Sequence, residues 1–352
     1  MPASSTPTAT ATDGAAAAQP TRRLTEARLL ILALGVVLLV QALFVTSYVG
    51  ALHSPKPHNV AFGVTGSPML AAAVGKQFSL RTKTYADEPA ARRAIDQRSI
   101  YGALITNPSA TTLLVAPAAS NGVATALTTA FTTVAAATGQ KLTVVQVHPL
   151  AEGDSVGIVP FLVTMALVIG GYLSATMATT LGGTTTIRRR APMLAGTAVI
   201  GALVTYLIAG PALGGIPSGH FLELWGIFAF LMLAVAFAAA ALQTMFGPIG
   251  TLIVIVVFVI FGAPAAGGTL AGPFLPGLWS TVGPFLPPGA GTTAVRNTIY
   301  FDGNGIQQSL IVLAAYLVAG AVVVLGTGRR STPQSIDAET DIETAGAGVV
   351  VV

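Results

Sequence analysis

Six stretches of the chain carry almost no ionisable side chain: Leu29–Gly50, Val156–Leu181, Pro192–Leu213, Phe221–Phe246, Ile249–Ala266 and Ile306–Leu325. Each is close to the ~20 apolar residues that a helix needs to cross a hydrocarbon core. Only Glu223 falls inside them, and it lies two residues from an end. The pattern predicts six spanning helices with no buried acid, base or charge pair among them.

Arginine sits just outside the stretches. Arg22, Arg23 and Arg28 precede the first, Arg188, Arg189 and Arg190 separate the second from the third, and Arg329 and Arg330 follow the sixth. Threading six helices alternately puts all of these on one side. The connections around Gly214–His220 and Ala265–Gly305 fall on the other side and carry Arg296 alone. Lys and Arg favour the cytoplasm, so both termini are expected there, with residues 51–155 outside. The remaining basic residues lie between Lys56 and Lys141, in a segment long enough to translocate whatever its charge. Only Phe246-Gly247-Pro248 separates the fourth stretch from the fifth, so that turn must reach the interface. The first stretch is longer than the ~7–15 apolar residues of a secretory signal, and no small-x-small site follows it, which predicts an uncleaved anchor.

Between the first and second stretches the period changes. Val60–Val64 is a short apolar strand, Met69–Gly75 a short helix, and Phe78–Tyr85 alternates as a half-buried strand does. Asp87-Glu88-Pro89 starts a helix continued by Ala90–Arg98, with Arg92, Arg93, Asp96 and Arg98 on its wet side. Strands Tyr101–Ile105, Leu113–Ala116 and Leu142–Val147 follow, with a helix over Gly122–Thr138 before the last. This alternation favours a partly parallel sheet covered by helices.

Composition agrees: 9% of residues are charged and 53% hydrophobic, against about 25% charged in soluble domains. A net charge of +4 does not point to nucleic acid, because the basic residues are dispersed or sit at helix ends. There is no cysteine, hence no disulfide or thiolate. Residues 1–21 and 328–352 are expected to be disordered cytoplasmic tails. The intervening parts are a first transmembrane helix over 22–50, the insertion over 51–155, and a five-helix membrane domain over 156–327. The expected fold class is therefore an all-α polytopic membrane protein of six transmembrane helices, with a small α/β extracytoplasmic domain inserted between helices 1 and 2.

Chemistry-bearing residues are sparse. His53, His58 and His148 lack metal-ligand spacing and read as solvated or linker histidines. Asp87, Glu88 and Asp96 read as helix-start and surface charges. No G-x-S-x-G, H-E-x-x-H or P-loop occurs, so neither catalysis nor ATP hydrolysis by a Walker mechanism is expected of this chain, nor any cofactor or metal. Gly170, Gly171, Ser174 and Ala175 in the second stretch, with Gly196 and Gly201 in the third, read as close helix packing or as a seam between copies. The segment 267–305 is apolar and aromatic yet full of helix breakers. It is expected to form re-entrant or interfacial helices, with Trp279, Pro287, Pro288, Arg296 and Asp302 as outer-gate residues and an Arg296–Asp302 pair fixing the loop.

One span, a large external domain and then five spans resembles the layout of the ABC-2 type permease superfamily. Its phage-infection-protein-like and nitrosoguanidine-resistance-like branch is the most similar. The residues that carry the resemblance are Ala90-Ala91-Arg92-Arg93-Ala94-Ile95, Ile100-Tyr101-Gly102-Ala103-Leu104, Gly283-Pro284-Phe285-Leu286-Pro287-Pro288-Gly289, Arg296-Asn297 and Tyr300-Phe301-Asp302-Gly303. The resemblance implies an exporter subunit in the plasma membrane, moving an amphiphilic, lipid-like or drug-like substrate with a separate ATPase chain, and working as a homodimer. It also implies that Gly182–Ala191, with Arg188, Arg189 and Arg190, touches the ATPase; the same triplet reads equally as a positive-inside anchor. The alternative is a non-transporting envelope scaffold or receptor that acts through the external domain.

Overall fold

The structure, a computed structural model, describes residues 20–75, 78–108, 110–180, 187–270 and 272–327, without the side chains of 20–27 and 187–189. Residues 1–19 of the expected N-terminal tail and the whole expected tail 328–352, with Arg329 and Arg330, lie outside the described residues, as does the connection 181–186; residues 20 and 21 belong to a helix. Two compact units emerge, residues 1–46 and 47–352. Helix α1 (Pro20–Leu52) begins in the first, two residues earlier than expected. The division thus falls within a helix, and the insertion and the later helices form one unit.

Within that second unit the insertion is a five-stranded sheet of order β2-β1-β3-β4-β5. Its strands are β1 (Val60–Thr65), β2 (Leu80–Thr84), β3 (Gly102–Asn107), β4 (Ala110–Val115) and β5 (Leu142–Gln146). All neighbours pair in parallel except β3 with β4, which are joined tightly enough to run antiparallel. Three helices interleave with these strands: α2 (Met69–Gly75), α3 (Glu88–Asp96) and α4 (Asn121–Ala137). The strand period of two sorts the side chains onto two faces. Val60, Phe62, Val64, Leu113 and Val115 pack with α2 and α4 around Phe131, whose ring stacks on Phe62 at 5.0 Å. Ala61, Ala103, Ile105 and Leu114 pack on the other face with Ala91, Ala94 and Ile95 of α3. With both faces covered, β1 is buried along its whole length, as parallel strands usually are. Local chemistry starts the helices: Asp87 Oδ1 accepts from Ala90 N at 2.8 Å, and Ser120 Oγ accepts from Val123 N at 3.3 Å.

The rest of the unit is helical. It comprises α5 (Val159–Thr180), α6 (Ile187–Leu207), α7 (Phe221–Phe246), α8 (Pro248–Val254), α9 (Gly262–Ala265), α10 (Gly277–Val282), α11 (Pro287–Tyr300) and α12 (Gln307–Thr327). A π-helical segment, Ile255–Phe261, joins α8 to α9 into one run, and another, Ile208–Ala212, ends α6. Among the described residues, six helices, α1 included, are long and apolar enough to cross a membrane. Of these α7 is the axis: 72% of its apolar window is buried, against 22% for α12, because α5, α6, α11 and α12 all pack on it. Outward side chains such as Ile200, Ile311 and Val322 remain exposed.

Two devices hold the bundle. Gly171 of α5 lies where an added Cβ would come 2.7 Å from the Met232 carbonyl oxygen and 3.0 Å from Val235. Gly201 of α6 meets the Met232 sulfur at 2.8 Å in the same sense, so these glycines serve close packing around α7, whereas Gly196 faces open space. At the end away from the insertion, Gln243 is buried and ties three helices. Its Nε2 donates to Thr176 Oγ1 at 2.8 Å and to Thr251 Oγ1 at 3.2 Å, and its Oε1 accepts from Thr179 Oγ1 at 3.2 Å. The turn there is tight, with Gly247 at φ 58°, a conformation that disfavours any side chain. Each such bond contributes about 0.5–1.5 kcal/mol, so Gln243→Leu is expected to cost about 2 kcal/mol. Denaturant unfolding of the detergent-purified protein checks this; an unchanged midpoint would show that the tie contributes nothing.

Candidate functional site at the junction of sheet and bundle

The insertion is fastened to the bundle by two segments from the far end of the chain. The loop after α9 enters the first core of the insertion: Phe274 packs there edge-on to Phe78 at 6.3 Å, His58 N donates to Pro273 O at 2.8 Å, and Ser120 Oγ donates to Thr269 O at 3.2 Å. Phe301, just past α11, enters the second core. Its ring lies between two partners, the His148 ring at 4.5 Å and the Arg98 guanidinium at 4.7 Å.

Around Phe301 the polar groups of both parts interlock. Arg98 Nε donates to Asn297 Oδ1 at 3.0 Å, and Arg98 Nη2 to Ala119 O at 3.4 Å. Asn297 Nδ2 donates to Asn304 O at 2.8 Å, closing the turn after α11. Arg296, one residue earlier, is 7% exposed; its Nη2 donates to Gly157 O at 3.2 Å and Gly268 O at 2.6 Å. Asp154, 2% exposed, lies in the turn before α5. Its Oδ1 accepts from Ile158 N at 2.8 Å and Val159 N at 3.1 Å, and its Oδ2 accepts from the Tyr300 hydroxyl at 3.2 Å. A carboxylate at a helix start both takes up free N–H groups and opposes the helix dipole. Burial pulls Arg98 below the usual guanidinium range. Burial, then the nearby Arg98 charge, brings Arg296 down to about 10, which leaves it protonated at neutral pH. Tyr300 is pushed up to about 12, first by burial and then by the Asp154 charge, so it stays a hydroxyl donor.

Several sequence expectations change here. Arg98 is not on the wet side of α3, because the helix ends at Asp96 and a left-handed residue (φ 61°) turns the Arg98 side chain into the junction. Arg296 and Asp302 do not pair. Helix α11 ends at Tyr300, and Asp302 lies beyond it in a left-handed turn (φ 49°) rather than on the helix face of Arg296; its side chain is 88% exposed and lies 3.8 Å from His220 Nε2. His148 is not solitary, since its Nε2 sits 2.7 Å from Asp96 Oδ1, and Asp96 is correspondingly more than a surface charge. Glu88 pairs with Arg92 at 2.7 Å, and Glu223 with His220 at 2.8 Å. His53 Nδ1 lies 2.7 Å from Val49 O. Pro287 and Pro288 occupy the first turn of α11, where a missing N–H costs nothing, and both are buried. The segment 267–305 therefore holds one short exposed helix, α10, and one deeply buried helix, α11. Trp279 lies on α10; its Nε1 donates to Ser47 Oγ at 3.3 Å, and its ring rests on Gly50. Arg188, Arg189 and Arg190 lie in the first turn of α6, far along the chain from this junction, and the side chains of the first two are outside the described residues. Among the described residues, no three metal-ligating side chains gather.

Two hollows flank the junction. One, of about 90 Å³, is lined by Arg98, Tyr101, Ala119, Thr293 and Arg296 among others. The second, of about 270 Å³, is wholly apolar and is lined by Val257, Phe261, Leu278, Trp279, Val282 and Leu286. Ala265 borders both. Compared with family models, with curated proteins and with solved structures, the chain finds no match.

Proposed function

We propose that the chain is a multi-pass plasma-membrane protein, with both termini cytoplasmic and the α/β insertion outside. In this reading it is the permease subunit of an ABC-2 type exporter that moves an amphiphilic, lipid-like or drug-like substrate, powered by a separate ATPase chain. The observation that carries the reading is the junction: a cationic hollow and an apolar hollow meet where the insertion docks on the bundle. An amphiphile leaving the outer leaflet needs such a pair of environments. The spans supply no proton relay, because a relay needs titratable groups at membrane depth, and Glu223 sits at a helix start beside His220. Energy must then come from a partner, and the Arg188-Arg189-Arg190 turn at the start of α6 is the candidate contact for it. Six spans make half of a symmetric pathway, so two copies are expected.

The test is a detergent pull-down of the tagged chain with mass spectrometry of its partners. A nucleotide-binding ATPase is expected, and it should be lost when Arg188, Arg189 and Arg190 become alanine. Recovery of envelope proteins without any ATPase would overturn the exporter reading in favour of a scaffold acting through the insertion. One feature favours that second reading: edge strand β2 is exposed along nearly all its length, which leaves a free ladder for a partner strand.

A further inference from the structure

The smaller hollow has an unbalanced charge. Two guanidinium groups line it, Arg98 from the insertion and Arg296 from α11, and no carboxylate does. The acids nearby are committed elsewhere: Asp154 to two backbone N–H groups and Tyr300, and Asp96 to His148. Arg296 is more than nine-tenths buried, yet only its Nη2 is used; among the described residues neither its Nε nor its Nη1 donates to a protein atom. Arg98 Nη1 is spare in the same way. None of these spare donors is sealed into packed protein. Two like charges lining one hollow repel, and their unused donors have no protein acceptor there. An oxyanion removes both penalties at once, since guanidinium forks match phosphate oxygens in geometry as well as charge. Space allows it: about 90 Å³ far exceeds the ~10–15 Å³ that one water takes up.

The apolar hollow lies directly beside it. Val282 lines one and Gly283, the next residue, lines the other, with Ala265 common to both. No polar side chain other than the Trp279 indole lines the larger hollow, and the indole N–H is engaged by Ser47. We propose that the Arg98–Arg296 hollow binds the phosphate group of an anionic amphiphile whose acyl chain lies in the apolar hollow beside Trp279. This deepens the amphiphile reading of the junction and rests on it, but it requires no ATPase.

The test uses the full chain purified in a neutral detergent. Binding of dioleoylphosphatidic acid is followed by the shift in unfolding temperature, beside dioleoylglycerol, which has the same tails without phosphate, and beside inorganic phosphate. Phosphatidic acid should stabilise the protein, and dioleoylglycerol should not. Thr293→Glu sets a carboxylate among the arginines and should weaken phosphatidic acid binding at least about tenfold, the worth of one charge-assisted hydrogen bond, while the ligand-free protein stays folded. Should that variant unfold, Ser280→Glu makes the same intrusion from α10. Trp279→Ala should weaken phosphatidic acid but leave any response to inorganic phosphate unchanged. Equal stabilisation by dioleoylglycerol, or unchanged phosphatidic acid binding in the glutamate variants, would overturn the site. Stabilisation by inorganic phosphate as strong as by phosphatidic acid would overturn the amphiphile and leave a free-anion site. Binding without any ATPase in the pull-down would keep this site and reject the exporter, and the reverse result would do the opposite.

Discussion

Asp154→Ala is expected to lower stability by about 3 kcal/mol, through loss of a helix cap and of a hydrogen bond to a charged group. The carboxylate closes three contacts at once: the N–H groups of Ile158, just before α5, and of Val159, its first residue, and the Tyr300 hydroxyl at the end of α11. Without it those donors stay buried and unmet, and Arg296 loses the nearest acid that offsets its charge. Asp154→Asn keeps one oxygen for the cap and should recover about half of the loss. The comparison variant is Asp302→Ala, whose carboxylate is exposed; it should change the midpoint by no more than a few tenths of a kcal/mol. Limited proteolysis supplies a second reading, since loosening the junction should open the segment between β5 and α5 to cleavage. If Asp154→Ala and Asp302→Ala unfold alike, the fastening of the insertion lies elsewhere.

What sequence pattern conveys, and where it stops, follows from the range of each interaction. Apolar length located the six long helices, because that signal is a sum over about 20 residues and tolerates local error. Alternation and caps located the strands and α3, where Asp87, Glu88 and Pro89 sit at the start as their chemistry requires. The junction was not legible. Arg98 is one of several arginines on an amphipathic helix until the helix is seen to end two residues before it. Asp154 looks like any loop acid, and its partner Tyr300 lies 146 residues away. An unusual composition singles out Arg296, Trp279, Pro287 and Pro288 but not their partners, and the pairing expected of Asp302 fails because α11 ends at Tyr300 and a left-handed turn leaves the Asp302 side chain exposed. The π-helical stretch Ile255–Phe261 has no sequence mark at all, because an uninterrupted apolar run reads the same in either helix type. The buried helix α11 was hidden by Pro287-Pro288-Gly289, a breaker sequence that becomes a helix start once its missing N–H groups fall in the first turn.

Gly171→Leu should strongly destabilise the bundle, and Gly196→Leu should slightly stabilise it. Both residues belong to the same pattern of small residues in long apolar helices, so composition does not separate them. Packing does. At Gly171 even a Cβ would approach the Met232 carbonyl oxygen to 2.7 Å and the Val235 side chain to 3.0 Å. The Met232 oxygen is backbone of the most buried of the six long helices, so it has no rotamer to yield, and α5 must move away from α7. Overpacking of this kind costs about 1–3 kcal/mol, more where backbone must shift, and leucine adds three further carbons to the clash. At Gly196 nothing lies within 4 Å of an added Cβ, and replacing glycine within a helix gains up to about 1 kcal/mol. Unfolding midpoints of the two variants in the same detergent should therefore move in opposite directions. A loss at Gly196 as large as at Gly171 would mean that α6 is covered there by something the single chain does not contain, and the most economical cover would be a second copy.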